Sequence, residues 1–96
     1  MYKLKVPDQV ADLVRALHPD LKKKIRASMK TILAAPDSGK TLKEELAGLR
    51  SYRVSRFRII YRVAKEEIEI VAIGPRARIY EETYRRLRKE KRQEIG

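Results

Sequence analysis

The sequence predicts an α+β fold: a small, antiparallel-dominated, four-stranded sheet packed on a two-helix hairpin, in the order β-α-α-β-β-β-α. Three observations predict it. Apolar and polar residues alternate with period two at the start of the chain and again between residues 51 and 73, as half-buried strands do. Two apolar stripes with helical spacing lie between residues 10 and 33, broken once by a proline. A further helical pattern begins at Ile79, just after Gly74-Pro75. The chain has 96 residues, of which 43% are hydrophobic, enough for one domain and one modest core. No repeat or low-complexity linker divides it, so residues 1–96 are read as a single domain.

Residues 2–6 alternate and form the first strand. Pro7 and Asp8 open a helix, with Val10, Leu13, Val14 and Leu17 at helical spacing. His18-Pro19-Asp20 breaks it, because proline cannot continue one helix but suits the first turn of the next. Leu21, Ile25, Met29, Ile32 and Leu33 form the second stripe, and the two helices make an antiparallel hairpin. Pro36-Asp37-Ser38-Gly39 ends it. Residues 40–50 are a connection in which Leu42, Leu46 and Leu49 pack on the core and Gly48 permits a turn. Strands follow at 51–55, 57–63 and 67–73; the last becomes continuously apolar from Ile70 to Ile73, as a central strand does. Gly74-Pro75 is expected to end it. The closing helix places Ile79, Thr83 and Leu87 on one side. Its basic end, from Arg85 to Arg92, is expected to be solvated.

Composition bounds the function. Lys and Arg number 24 against 13 acidic residues, a net charge of +11 that predicts a polyanionic partner. There is no cysteine and a single histidine, which excludes disulfides and thiol chemistry; no metal and no cofactor are expected. No apolar run has the length of a membrane span, the N-terminus lacks the organisation of a signal peptide, and the protein is expected in the cytoplasm without membrane contact. Residues 50–62, Arg-Ser-Tyr-Arg-Val-Ser-Arg-Phe-Arg-Ile-Ile-Tyr-Arg, hold five arginines and no acid. Guanidinium groups suit phosphate because each is planar, permanently charged and able to bind two oxygens.

Strand parity sorts these arginines. Tyr52 and Val54 share a face with Phe57, Ile59, Tyr61 and Val63 once the apolar sets are buried together. Arg53, Ser55, Arg58 and Arg62 then point to the opposite, open face. A slip of one residue would bury arginines, at several kcal/mol for each unpaired ion, so the register is well specified. Arg76 and Arg78 follow the last strand, near the same face, and Tyr80 and Tyr84 lie at its margin. The ordinary reading is that these are outward-facing residues paired with Glu67 and Glu69. Surface pairs of that kind contribute little, and the arginines outnumber the nearby acids.

The segment Leu46-Ala47-Gly48-Leu49-Arg50-Ser51-Tyr52-Arg53-Val54, then Phe57-Arg58-Ile59-Ile60-Tyr61-Arg62-Val63, then Ile73-Gly74-Pro75-Arg76-Ala77-Arg78-Ile79-Tyr80, resembles the RelE/ParE superfamily of toxins from prokaryotic type II toxin–antitoxin systems. The strand–helix–helix start matches as well, so the resemblance covers roughly the whole chain. It implies one of two activities. RelE-type members are ribosome-dependent endoribonucleases that cut messenger RNA; ParE-type members share the fold, are not nucleases, and inhibit DNA gyrase. Both imply a cognate antitoxin, a small acidic protein, with a heterotetramer as one form of the complex. For the RelE-type reading the partners are the ribosome and mRNA. Carried over residue by residue, Arg58 and Arg76 take the places of family arginines, and Arg53 and Ser55 fall where RelE-type enzymes often have lysines. Tyr80 takes the place of the loop tyrosine, with Tyr84 also in play. The catalytic set under that reading is Arg53, Arg58, Arg76 and Tyr80, and the RNA-binding set is Arg50, Ser55, Arg56, Arg62 and Arg78.

RNA cleavage by the neighbouring 2′-hydroxyl needs a base, cations for the charge growing on phosphate, and an acid for the leaving 5′-oxygen. Only RNA has that hydroxyl. Arginine is a clamp and not the base, because it effectively never loses its proton. Tyr80 is the proton-transfer candidate, since a phenol among positive charges ionises more readily. Packing is its ordinary alternative. Glu44 and Glu45 are carboxylates that read as helix-surface charges. His18 lies between the two helices, where it is expected to cap a helix end, so a paired-histidine mechanism is not available. A plain basic nucleic-acid-binding module is disfavoured: there is no helix-turn-helix pattern, and five tyrosines and one phenylalanine are few for a stacking platform.

Overall fold

The computed structural model of the chain describes the backbone of residues 2–95 and the side chains of residues 2–89. Strand β1 (Lys3–Lys5) leads into helices α1 (Asp8–Ala16) and α2 (Pro19–Ala34). A 3-10 turn at Pro36–Ser38 is followed by β2 (Lys40–Thr41), a second 3-10 turn at Glu44–Leu46, the strands β3 (Arg50–Val54), β4 (Phe57–Val63) and β5 (Glu67–Pro75), and helix α3 (Ile79–Ile95). The α+β architecture agrees with the sequence, and so does the element order apart from one added strand. The basic end of α3 past Lys89, expected to be solvated, lies outside the described side chains.

Two corrections concern the sheet. It has five strands, not four, in the order β1-β5-β4-β3-β2. The added strand is the two-residue β2, which pairs antiparallel with β3 through Lys40–Ser51 and Thr41–Arg50. Both of its residues are exposed, so it carries no apolar alternation to read. The last strand also runs through Gly74 to Pro75, because β4 supplies pairing partners to its end: Arg58 opposite Gly74, and Phe57 opposite Pro75. Proline is tolerated there because β1 pairs only with Glu67–Glu69, which leaves Pro75 with a strand neighbour on one side alone, as on an edge. Strand β1 pairs parallel with β5; all other pairings are antiparallel.

The helical hairpin packs on one face of the sheet. Val10, Val14, Ile25, Met29 and Ile32 meet Val54, Ile59, Tyr61, Ile68, Ile70 and Ile73. The hairpin turns at His18, which caps α2: its Nδ1 accepts the Asp20 amide at 3.2 Å, and Pro19 occupies the first turn. Tyr61 is fully buried, and its hydroxyl donates to the Pro36 carbonyl at 2.7 Å and accepts the Gly39 amide at 2.8 Å, which ties the end of the hairpin to the sheet.

The opposite face is not fully open, contrary to the expectation from parity. Helix α3 folds back over part of it, and Leu49, Ile60, Val71, Ala72 and Ile79 form a second core, with Leu42, Leu46, Tyr80 and Leu87 at its margin. A β-bulge sets which residues of β5 join it. Ile60 pairs with Ala72 but Tyr61 pairs with Ile70, so Val71 is the extra residue. Parity shifts by one there: Ile68, Ile70 and Ile73 face the hairpin while Val71 and Ala72 face α3. Apolar groups on that side need cover, and Ile79, Thr83 and Leu87 of α3 supply it. Arg86 donates to the Val71 carbonyl at 2.8 Å, capturing an acceptor at the bulge.

Candidate functional site

The face shared with α3 carries a cross-strand row. Arg53 on β3 stands opposite Arg58 on β4, and Arg58 stands opposite Gly74 on β5. Two like charges directly opposite one another destabilise a strand pair, and no ion pair with a described acidic side chain offsets this one. The β3–β4 turn at Ser55-Arg56 closes the row at its end. Ser55 adopts φ 56°, a left-handed conformation rare outside glycine. Two contacts hold that turn: Arg53 Nε donates to the Ser55 carbonyl at 3.4 Å, and the Arg76 amide donates to the Arg56 carbonyl at 2.9 Å. The second contact brings the segment after β5 against the turn. Arg53, Ser55, Arg56, Pro75, Arg76 and Ala77 together line a depression of about 550 Å³ with no acidic residue in its wall.

Arg58 is half-buried and joins this depression to the start of α3. Its Nη1 donates to Ser51 Oγ at 3.3 Å, and Ser51 Oγ shares a hydrogen bond of 3.1 Å with the Tyr80 hydroxyl. Ser51 is 2% exposed. Arg58 Nε is buried without a hydrogen-bond partner. The chain Arg58–Ser51–Tyr80 explains why Tyr80, in the first turn of α3, is aimed at the sheet. On the other side of Tyr80, a second depression of about 400 Å³ is lined by Lys40, Thr41, Leu42, Lys43, Leu46 and Tyr80.

Arg53, Arg58, Arg76 and Tyr80 are thus brought to one region, with Ser55 and Arg56 at its rim. Three other arginines of the expected set are placed differently. Arg50 lies on the hairpin side by parity, and its Nη1 donates to the carbonyls of Gly39 at 2.8 Å and Asp37 at 3.4 Å. Arg62 is at the far end of the sheet, ion-paired with Glu69, which Lys5 also approaches at 3.9 Å. Arg78 is exposed at the start of α3, and its amide donates to the Pro75 carbonyl at 3.0 Å. Tyr84 is half-exposed, with the Arg88 guanidinium 5.7 Å from its ring centre. His18 and Asp20 line a separate depression with Leu21, Lys24, Ser55, Arg56 and Phe57, on the hairpin side of the turn. Sequence reasoning missed Ser51. Ser51 carries a signal that parity contains, since it alternates with Arg53; its burial under α3 is not legible without that helix.

Among the described residues no group of three or more His, Cys, Asp or Glu side chains is placed to hold a metal ion, and no helix is long and apolar enough to cross a membrane.

Three comparisons bear on this arrangement. Residues 3–80 match the family described as the ParE toxin of type II toxin–antitoxin systems, parDE. No curated protein sequence matches the chain. Among solved structures, the chain is similar to the RelBE2 toxin–antitoxin complex of Mycobacterium tuberculosis, with 23% identity, 78% of this chain and 98% of that one covered, and a TM-score of 0.70. It is also similar to a free-state mutant of the RelE toxin of E. coli (19% identity, 88% and 96% covered, TM-score 0.69). A third is the heterotetrameric YoeB–YefM toxin–antitoxin complex of Staphylococcus aureus (22% identity, 73% and 91% covered, TM-score 0.60). At these identities the likeness to solved structures establishes the shared fold.

Proposed function

This chain belongs to the ParE toxin family of type II toxin–antitoxin systems, and within that frame we propose, from the geometry of its arginines, that it is a ribosome-dependent endoribonuclease that cleaves messenger RNA by 2′-hydroxyl attack. One observation carries the reading: Arg53, Arg56 and Arg76 line a depression without acids, with Arg58 directly opposite Arg53 on the neighbouring strand. Such an array stores repulsion that a phosphodiester relieves. Arg58 and Arg76 clamp the non-bridging oxygens and stabilise the charge that grows on phosphorus during attack. Arg53 holds the approaching strand, and Arg56, Ser55 and Arg78 contact flanking phosphates. Arg50 and Arg62 enter the RNA-binding set only if their present partners release them. Tyr80 stands beside the clamp through Ser51 and supplies a proton to the leaving 5′-oxygen. A flanking nucleobase fits the depression beside the Tyr80 ring, between Lys40 and Lys43.

The partners follow from the family and the charge. A chain of net charge +11 presents a surface that a small acidic antitoxin complements, and a heterotetramer like that of the YoeB–YefM complex is the proposed assembly. The toxin acts in the cytoplasm, where ribosomes and message are.

A second reading is favoured by the family match itself, which is to ParE toxins: the same arginines form a protein-binding surface that inhibits DNA gyrase, with no cleavage. Brief induction followed by primer extension on a translated message separates the two. Breaks at fixed positions within codons support the nuclease. Intact message with altered plasmid supercoiling overturns it in favour of gyrase inhibition.

A further inference from the structure

We propose that Glu82 is the general base of the reaction, the carboxylate that accepts the 2′-hydroxyl proton; the inference rests on the nuclease reading above. The placement comes from Gly74. A methyl group on Gly74 would lie 3.8 Å from Glu82 Oε2 and 2.9 Å from Ile79 Cδ1. The Glu82 carboxylate therefore sits over the bare backbone of Gly74, on the α3 side of the sheet. Gly74 is the cross-strand partner of Arg58, and Arg58 is the partner of Arg53. One carboxylate thus closes the row of two arginines and a glycine. The bare backbone at position 74 admits Ile79 Cδ1, and so seats the first turn of α3, with Glu82 beyond it, against the end of β5.

Glu82 is also unengaged. Its neighbour Glu81 is ion-paired with Arg85, and Glu69 with Arg62, whereas Glu82 makes no ion pair among the described residues. The charged groups around it are Arg58, across the sheet by register, and Arg78 and Arg86, one helical turn to either side. Arg86 is committed to the Val71 carbonyl. A carboxylate beside a phosphate clamp is a ready proton acceptor at neutral pH, whereas a phenol must first lose a proton. Tyr80, whose hydroxyl is already tied to Ser51, suits the opposite role. In the resulting step the 2′-oxygen bonds to phosphorus as its proton passes to Glu82. The bond from phosphorus to the 5′-oxygen breaks, and that oxygen takes the Tyr80 proton. The products are a 2′,3′-cyclic phosphate and a 5′-hydroxyl, and water returns the proton from Glu82 to Tyr80.

The test is single-turnover cleavage of message on programmed ribosomes by full-length toxin, across pH. For Glu82→Gln the expected result is a roughly 100- to 10,000-fold slower rate, with the half-saturating concentration changed by less than about 3-fold, as for a group that acts on the reacting proton and not on binding. The wild type is expected to lose rate toward acidic pH; that loss should disappear in Glu82→Gln and persist in Glu82→Asp. Glu81→Gln should behave as wild type. A Glu82→Gln variant that cuts at the wild-type rate with an unchanged pH profile overturns the assignment and leaves the nuclease reading standing. A wild-type protein that leaves message intact removes both.

Discussion

Replacing Ser51 by alanine removes a single oxygen and tests whether Arg58 and Tyr80 act as a unit. Ser51 is 2% exposed, and its hydroxyl meets Arg58 Nη1 at 3.3 Å and the Tyr80 hydroxyl at 3.1 Å. The loss of volume is small, so the cost comes from polar groups left without partners. Leaving one buried donor or acceptor unsatisfied costs about 1–3 kcal/mol. Both bonds are longer than the common 2.7–3.0 Å, and Tyr80 is only half-buried and can turn to water, which argues for the lower part of that range. We expect Ser51→Ala to lower unfolding free energy by about 1–2 kcal/mol, or about 5–10 °C in Tm for a domain of this size. A double-mutant cycle of Ser51→Ala and Tyr80→Phe, read by urea denaturation, isolates the shared bond; the coupling should be about 0.5–1.5 kcal/mol. Purely additive effects, with coupling near zero, would refute the claim that Ser51 links the two. Cleavage is the second readout: Ser51→Ala should slow it even under conditions where the variant is fully folded.

Three further outcomes are expected. Arg76→Ala, at an exposed side chain, should leave Tm within about 1 °C but reduce cleavage roughly 100- to 1,000-fold, as loss of one donor to a developing oxyanion does; thermal melting and single-turnover assays read the two quantities separately. Ser55→Gly should raise stability by about 0.5–1 kcal/mol, because glycine takes the φ of 56° without the steric cost and gives back part of the gain as chain entropy; denaturant midpoints check this. Gly39→Ala should destabilise by about 1–3 kcal/mol, since a Cβ there would lie 2.5 Å from the Tyr61 hydroxyl and 2.8 Å from its ring, and Tyr61 is fully buried; a denaturation curve with an unshifted midpoint would count against the close packing described.

The parts of the site that the sequence exposed are those governed by strand parity. With Val54, Ile59 and Tyr61 committed to the hairpin core, the pleat sends Arg53 and Arg58 to the other face without further information. Proline and glycine marked the helix ends for the same reason: their backbone restrictions act locally. Strand parity does not reveal the partners of Arg50 and Arg62, because the carbonyls of Gly39 and Asp37 and the carboxylate of Glu69 come from other elements. Of these only Glu69 was in view as a possible partner.

What belongs to the amino-acid sequence alone is the alternation, the positions of the helices, the surplus of positive charge and the side of the sheet on which Arg53 and Arg58 emerge, all of which follow from steric rules acting within a few residues. What only the tertiary structure decided is the company those arginines keep. The bulge at Val71 inverts parity within one strand, β2 pairs through backbone groups that leave no side-chain pattern, and α3 folds across the second face to bring Tyr80 onto Ser51 and Glu82 over Gly74. Each depends on contacts between segments distant along the chain, which a periodic pattern of side chains does not encode.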